Sequence, residues 1–308
     1  MKIVVTGGAG FIGSNIVDAY LEEGHEVHIL DDFSTGQKSN LNGKAELHEV
    51  DITDPRAARV IERIKPDAIS HHAAQMDVRH SVADPTFDAR VNIIGFITLL
   101  EAAKNAGVKK VIFASSGGAV YGEQDVFPAP ENHVTRPASP YGVSKRAGEL
   151  YLCYYQQTFG LPYIALRYAN VYGPRQSAKG EAGVVAIFLT LLLAGKTPVI
   201  NGDGGQTRDY VYVGDVVAAN VNALSSSFVG AVNIGTGVET DVLSLFQHLR
   251  RAVGSEIQAV HGPAKTGEQR RSSLDARRAT EVLGWRARME LADGLQRTAE
   301  YYRETAGK

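Results

Sequence analysis

Thr6-Gly7-Gly8-Ala9-Gly10-Phe11-Ile12-Gly13-Ser14 is the stretch from which the rest of the chain can be read. It follows directly on the β-branched run Ile3-Val4-Val5 and opens an apolar-periodic segment over 11–23. Glycines at 7, 10 and 13 have the spacing of a strand-to-helix turn that receives a dinucleotide pyrophosphate. Gly7 permits the tight turn, Gly10 lets a phosphate approach the backbone, and Gly13 lets helix and strand pack closely. Free N–H groups and the positive end of the helix dipole complete the anion site.

Outward from this turn, β-branched runs at 3–5, 27–30, 46–50, 68–71, 111–114 and 163–167 alternate with helical patterns at 11–23, 56–65, 87–106 and 141–159. The alternation predicts an α/β fold, a doubly wound parallel (Rossmann) sheet with its ligand crevice at the carboxyl ends of the strands. It fades after residue 167. The expected division is therefore a dinucleotide domain over 1–168 and a smaller C-terminal α/β domain over 169–308. Return segments are expected near 208–237, where Val232-Asn233-Ile234-Gly235 reads as a further buried strand. The second strand ends Ile29-Leu30-Asp31-Asp32, and the next basic residue is Lys38. An acid there accepts from ribose hydroxyls and repels a 2′-phosphate, which favours NAD over NADP.

Composition narrows the classes. The 308 residues are 44% apolar and 21% charged, which excludes intrinsic disorder. Basic and acidic residues number 32 and 34, a balance that argues against a nucleic-acid or membrane-surface protein. The longest apolar runs, such as 183–195, are too short to span a bilayer. The single cysteine, Cys153, excludes an intrachain disulfide and reads as a packed small hydrophobe. No Cys/His cluster offers a zinc site, so no metal is expected. The strand-like start at Lys2 predicts no signal peptide, and with the free cysteine it places the protein in the cytoplasm.

Ser139-Pro140-Tyr141-Gly142-Val143-Ser144-Lys145 carries the chemistry. Ser139 is a natural N-cap and Pro140 suits the first helical position. Tyr141 and Lys145 then project from one helical face. An ammonium beside a phenol favours the phenolate, and so does the helix N-terminus, which makes Tyr141 a usable general base. Ser115 and Ser116 leave the fifth strand at the crevice. Either hydroxyl could bond a substrate oxygen or only turn backbone, and Ser116 is the preferred one.

Together these segments resemble the extended short-chain dehydrogenase/reductases, and most closely nucleotide-sugar 4-epimerases of the UDP-glucose (UDP-galactose) 4-epimerase type. The resemblance runs nearly end to end. It takes in His71-His72-Ala73-Ala74-Gln75, Asn92, Arg167-Tyr168-Ala169-Asn170, Thr207-Arg208-Asp209 and Gly267-Glu268-Gln269-Arg270. It implies Tyr141 as base, Lys145 on the nicotinamide ribose and Ser116 as the third catalytic residue. For NAD it implies Gly7, Gly10, Phe11, Ile12, Gly13, Asp31, Asp32, Ser34, Thr35, Gly36, Asp51, Ile52, Ala73, Ala74, Gln75, Asn92 and Tyr168. For a UDP-sugar it implies Asn170 and Arg208 on the pyrophosphate, and Arg270, where the family often has an arginine two past the acid, as a further substrate-binding residue. Gly183, Val184, Val185, Val199, Ile200 and Asn201 would surround the uridine, and Ser272 would bound the sugar. The implied reaction removes and returns hydrogen at C4 through a 4-keto sugar. A homodimer through the helices at 87–106 and 141–159 is also implied.

The chain departs from the pattern at three places: Gly117-Gly118 lengthens the serine turn, Lys265 stands where many members have Arg, and Met76 stands where some have Lys. The small Ser272 leaves N-acetylated sugars open. Rival readings are a UDP-glucuronate 4-epimerase, a nucleotide-sugar 4,6-dehydratase or decarboxylase, and a non-catalytic NAD-binding regulator. Dehydratases of this superfamily carry an Asp-Glu pair where this chain has Ser-Gly-Gly-Ala, which argues against elimination.

Overall fold

The computed structural model describes residues 1–178, 183–264 and 269–305. Its strands are β1 (Lys2–Thr6), β2 (Glu26–Asp31), β3 (Glu46–Glu49), β4 (Ala68–His71), β5 (Lys110–Ser116), β6 (Tyr163–Tyr168), β7 (Asn170–Tyr172), β8 (Val199–Asn201), β9 (Thr207–Tyr212), β10 (Gly230–Ile234), β11 (Glu239–Asp241) and β12 (Val260–Gly262). Seven of them form one sheet in the order β10-β6-β5-β4-β1-β2-β3. Every pairing in it is parallel. The winding reverses between β1 and β4, and that switch point opens the crevice where ligands of such sheets bind. Each strand predicted from β-branched runs is present, and the run at 232–234 returns as β10 beside β6.

Helices cover both faces. On one, α1 (Phe11–Glu22) packs Ile16, Val17 and Tyr20 against the sheet. On the other, α2 (Pro55–Ile64) buries Ala57, Ile61 and Ile64, three and four residues apart, as an amphipathic helix must. Its cap is the one the sequence encodes: the Asp54 carboxylate accepts from the Arg56 N–H, with Pro55 at the first position.

The helix expected over 87–106 is interrupted. After α3 (Val78–Ala83) come α4 (Pro85–Ala89), a π-helical segment over Arg90–Gly95, and α5 (Phe96–Ala106). The wider turn carries Asn92, whose amide is occupied with the loop after β4. A π segment at such a place is a common device for re-aiming one side chain. Then α6 (Gly117–Val120) follows β5, and α7 (Pro140–Phe159) lies across the sheet. The residues α1 packs on one face form a first apolar cluster and those of α2, α5 and α7 on the other a second, against which Cys153 is half-buried.

Beyond β6, α8 (Val184–Leu193), α10 (Val242–Val253) and α12 (Leu291–Thr305) gather a third cluster around Phe188, Phe246 and Leu249. Two small sheets, β11-β9-β7 and β12-β8, accompany it. Between them α9 (Val213–Ser225) packs into the first cluster with α1, and α11 (Arg277–Leu283) adds Ala279 and Leu283 to it.

Candidate active site

The glycine turn occupies the switch point. Gly7 has φ +70, and a side-chain carbon on it would lie 2.6 Å from the Ala73 nitrogen. The loops after β1 and β4 therefore touch, and only glycine lets them. Thr6 Oγ1 locks the contact by accepting from the N–H groups of His72 and Ala73, 3.2 Å from each. At Gly13 a side-chain carbon would lie 2.2 Å from the Gly7 carbonyl, which is the helix–strand packing role predicted for it.

Gly10 differs: a carbon there would meet only the Gly7 carbonyl, at 3.2 Å, so the face above it is open. Gly10 caps α1 without a side-chain bond, and no acid stands in the first helical turn. An open, unscreened helix N-terminus fits a dinucleotide pyrophosphate. Asp31 is buried at the end of β2, its two oxygens accepting from the Ala9 and Phe33 N–H groups, 2.9 Å from each. It ties the acid loop to the glycine turn, and a carboxylate keeps lone pairs for a ribose diol. Asp32 turns to Ser34 instead, accepting from its N–H and its hydroxyl. Asp51 accepts from the Thr53 N–H, and Ile52 is buried.

The helix bearing Tyr141 forms as its sequence dictates. Ser139 Oγ accepts from the Gly142 N–H at 3.1 Å, and Pro140 takes the first position. Gly142 brings α7 against the serine turn, since a side-chain carbon there would lie 2.6 Å from the Ala119 carbonyl. The Tyr141 N–H donates to Ser81 Oγ at 3.2 Å. Lys145 is buried with its ammonium 5.7 Å from the Tyr141 ring centre and 5.0 Å from that of Phe113. Burial draws its pKa from 10.5 down to about 8, against the opposing pull of Asp88.

That shift has a measurable consequence in the cofactor-free chain. The unfolded lysine holds its proton up to about pH 10.5, and the folded one releases it near pH 8. Between these values the unfolded state binds more protons, so stability rises with pH. Lys145→Met lacks this gain. Its stability relative to the parent should fall by roughly 3 kcal/mol between about pH 7 and pH 10.5. Urea midpoints of both proteins at each pH measure it, and an unchanged difference overturns the shift.

Asp88 is a residue the sequence reading passed over. It is fully buried in α4 and accepts from Ser144 Oγ (2.6 Å), Asn92 Nδ2 (2.9 Å) and Gln75 Nε2 (3.0 Å). One carboxylate thus joins α7, the π segment and the loop after β4. Asn92 in turn clamps the backbone of Gln75 from both sides, donating to its carbonyl and accepting from its N–H. The available signal was spacing, for Asp88 and Asn92 share a helical face.

The two serines separate cleanly. Ser115 is buried and donates to Glu149 Oε1 at 2.7 Å, while Ser116 ends β5 half-buried at the N-cap position of α6, its side chain making no cap bond. Ser115 is committed to the interior, which leaves Ser116 for the crevice. Gly118 faces Ser272, whose hydroxyl lies 4.0 Å from where a carbon on Gly118 would stand. Ser272 is itself buried and accepts from Gln124 Nε2.

The remaining candidates divide by burial. Asn170 is exposed at the start of β7, Gly183 caps α8, and Val184 and Asn201 are half-buried. Val185 and Ile200 are buried, their side chains packed in the third cluster. Val199 is exposed. Arg208 is half-buried and donates to the Thr207 carbonyl. Arg270 is exposed and forks onto Asp203 at 2.8 and 2.9 Å, which holds that carboxyl well below its ordinary range. Tyr168 is buried with its hydroxyl accepting from Asn220 Nδ2, and Lys265 lies outside the described residues.

An open glycine cradle, an acid at the end of β2, and a Tyr/Lys pair beside a serine turn define a dinucleotide-dependent enzyme of the short-chain dehydrogenase type. The chain belongs to the NAD dependent epimerase/dehydratase family, whose sequence model matches residues 3–235. It is 48% identical over 309 residues to the UDP-glucose 4-epimerase of Mycolicibacterium smegmatis, covering 98% of this chain and 99% of that one. The UDP-glucose 4-epimerase of Thermotoga maritima, solved with UDP-glucose, superposes with TM-score 0.98 at 47% identity, covering 99% of this chain and all of its own. That of Thermus thermophilus, solved with NAD, gives 0.95 at 41% identity, covering 99% and 100%.

Proposed function

We propose that the protein interconverts UDP-hexoses at C4, UDP-glucose and UDP-galactose first among them, with NAD held in the glycine crevice. The observation that carries this reading is the seating of Tyr141 and Lys145 against the serine turn, in a chain so closely similar over its length to enzymes of that name. When bound, NAD supplies a reversible hydride acceptor for C4. Tyr141 takes the proton of the sugar 4-hydroxyl, directly or through Ser116, and gives it back after the ring has turned. Lys145 holds positive charge beside the phenol and reaches the nicotinamide ribose. Asp31 accepts from the adenosine ribose.

The nucleotide end is gripped and the sugar end is not. Asn170, Arg208 and Arg270 hold the pyrophosphate, Arg270 by exchanging Asp203 for a phosphate oxygen. Gly183, Val184 and Asn201, with the backbones of Val185 and Ile200, surround the uridine. Binding energy spent on the remote nucleotide leaves the hexose free to present either face. The small Ser272 leaves room for N-acetyl groups, and we extend the reading to UDP-N-acetylhexoses.

Incubating the purified protein with UDP-galactose, without added reductant, should yield UDP-glucose, and a panel with N-acetyl and carboxylate groups sets the range. Absence of C4 epimers from every member would overturn the reading. We also propose a homodimer through the helices at 87–106 and 141–159; Val143, Leu150, Tyr151 and Tyr154 of α7 are exposed. A monomer in sedimentation would refute it. We assign the protein to the cytoplasm because its single cysteine is free. No helix among the described residues is long and apolar enough to cross a membrane.

A further inference from the structure

The outer edge of the main sheet carries a cluster that the C4 chemistry does not use. Strands β2 and β3 run parallel there, with His28 opposite Glu46. His48 lies two residues past Glu46 and so shares its face. His28 Nδ1 is 3.2 Å from His48 Nε2 and 3.4 Å from Glu46 Oε2, and His48 Nε2 is 3.5 Å from Glu46 Oε1. A tetrahedral ion with bonds of about 2.0–2.1 Å sets its donor atoms roughly 3.3–3.4 Å apart. The two nitrogens and the carboxylate already stand at that spacing.

We propose that His28, Glu46 and His48 form a binding site for one divalent transition metal of the zinc class. Imidazole, imidazole and carboxylate with an open fourth position are a donor set such ions favour. The surroundings prepare it. Glu26 Oε1 lies 3.0 Å from His28 Nε2, and a carboxylate there holds the proton on Nε2 and leaves the Nδ1 lone pair for the ion. Both imidazoles are nearly buried, at 8% and 9% side-chain exposure, so their positions are fixed by packing. Glu46 is 63% exposed and can swing to the ion, and water reaches the fourth position past it.

The site lies on the edge rather than at the reaction. His28 precedes Asp31 by three residues along β2, roughly 10 Å from the ribose acid. A bound ion would clip β3, a four-residue edge strand, to β2, and would stabilise the fold by mass action without entering the chemistry. The sequence announces no such site, because the donors come from two strands joined by a loop and only the register aligns them.

The test uses the full-length, tag-free protein after treatment with chelator. Titration with Co²⁺ should give visible bands of tetrahedral intensity that saturate at one ion per chain, and Zn²⁺ should displace them and raise Tm. His48→Ala and Glu46→Gln should each weaken binding at least tenfold. Glu26→Gln, which removes the carboxylate that holds the His28 proton and also its 3.5 Å ion pair with Lys2, should weaken it by about tenfold to a hundredfold. Epimerisation by all three should match the parent. Absence of the bands with an unmoved Tm overturns the proposal. So does binding that survives the combined His48→Ala, Glu46→Gln change, since the ion would then sit elsewhere.

Discussion

Tyr141→Phe should bind NAD and UDP-sugar as the parent does and lose turnover by roughly 10²–10⁴-fold, the ordinary worth of a positioned general base. The change removes one oxygen and keeps the ring and the helix start. The backbone bond to Ser81, the Ser139 cap and the close seat of Gly142 on Ala119 involve no part of the phenol hydroxyl. The ring that lies beside the Lys145 ammonium is kept as well. The loss should therefore fall on kcat with KM nearly unmoved, the signature of a group that acts in the transition state rather than in binding. Lys145→Met makes the contrast. It removes the buried cation that favours the phenolate, together with a ribose contact, and should weaken NAD retention as well as turnover. Steady-state kinetics with UDP-galactose, paired with the NAD content of each purified variant, separates the two. Turnover by Tyr141→Phe at the parent rate would end the assignment of Tyr141 as base.

Some of this site is readable from residue order because its chemistry fixes the spacing. Gly7, Gly10 and Gly13 must stand three apart for one turn to approach a phosphate and pack a helix, and Tyr141 and Lys145 must stand four apart to share a face. Other parts depend on contacts that residue order does not encode. Ser115 and Ser116 look alike in the sequence, and what separates them is Glu149 reaching Ser115 from α7. Val185 and Ile200 sit in segments matched to the uridine end, yet packing around Phe188 and Phe246 claims their side chains. The apolar pattern over 87–106 reads as one helix because a π segment leaves the composition unchanged while rotating everything after it. Asp88 sits in that pattern as a polar interruption, and only the fold shows it meeting Ser144.

The residue that selects between the serines also sets the largest expected stability effect. Arg167 in β6 and Glu149 in α7 are both buried, paired through Nε to Oε1 at 2.8 Å and Nη2 to Oε2 at 2.7 Å. Burial pushes the Glu149 carboxyl up, and the bonds from Arg167, Ser115 and Arg146 outweigh it, so its pKa lies below the ordinary range. Arg167 Nη1 also donates to the Tyr121 hydroxyl at 2.9 Å, and that hydroxyl donates to Asn233 Oδ1 in β10 at 2.7 Å. One guanidinium on β6 thus joins α7 directly and β10 through Tyr121, the residue after α6. Arg167→Met strands a carboxylate in a low-dielectric interior with only Ser115 and Arg146 beside it. That should cost about 3–5 kcal/mol, or roughly 5–8 °C in Tm. Removing both charges, as in Glu149→Leu with Arg167→Met, should recover much of the loss, because apolar side chains of similar volume avoid the desolvation that the pair must offset. Denaturant unfolding of the parent, both single variants and the double variant closes the cycle. A single variant within about 1 kcal/mol of the parent would show that water reaches Glu149 and that the pair is not the clamp its geometry describes. Recovery of stability in the double variant without recovery of turnover is the expected result, since Ser115 then loses its partner and can compete with Ser116 for the substrate oxygen.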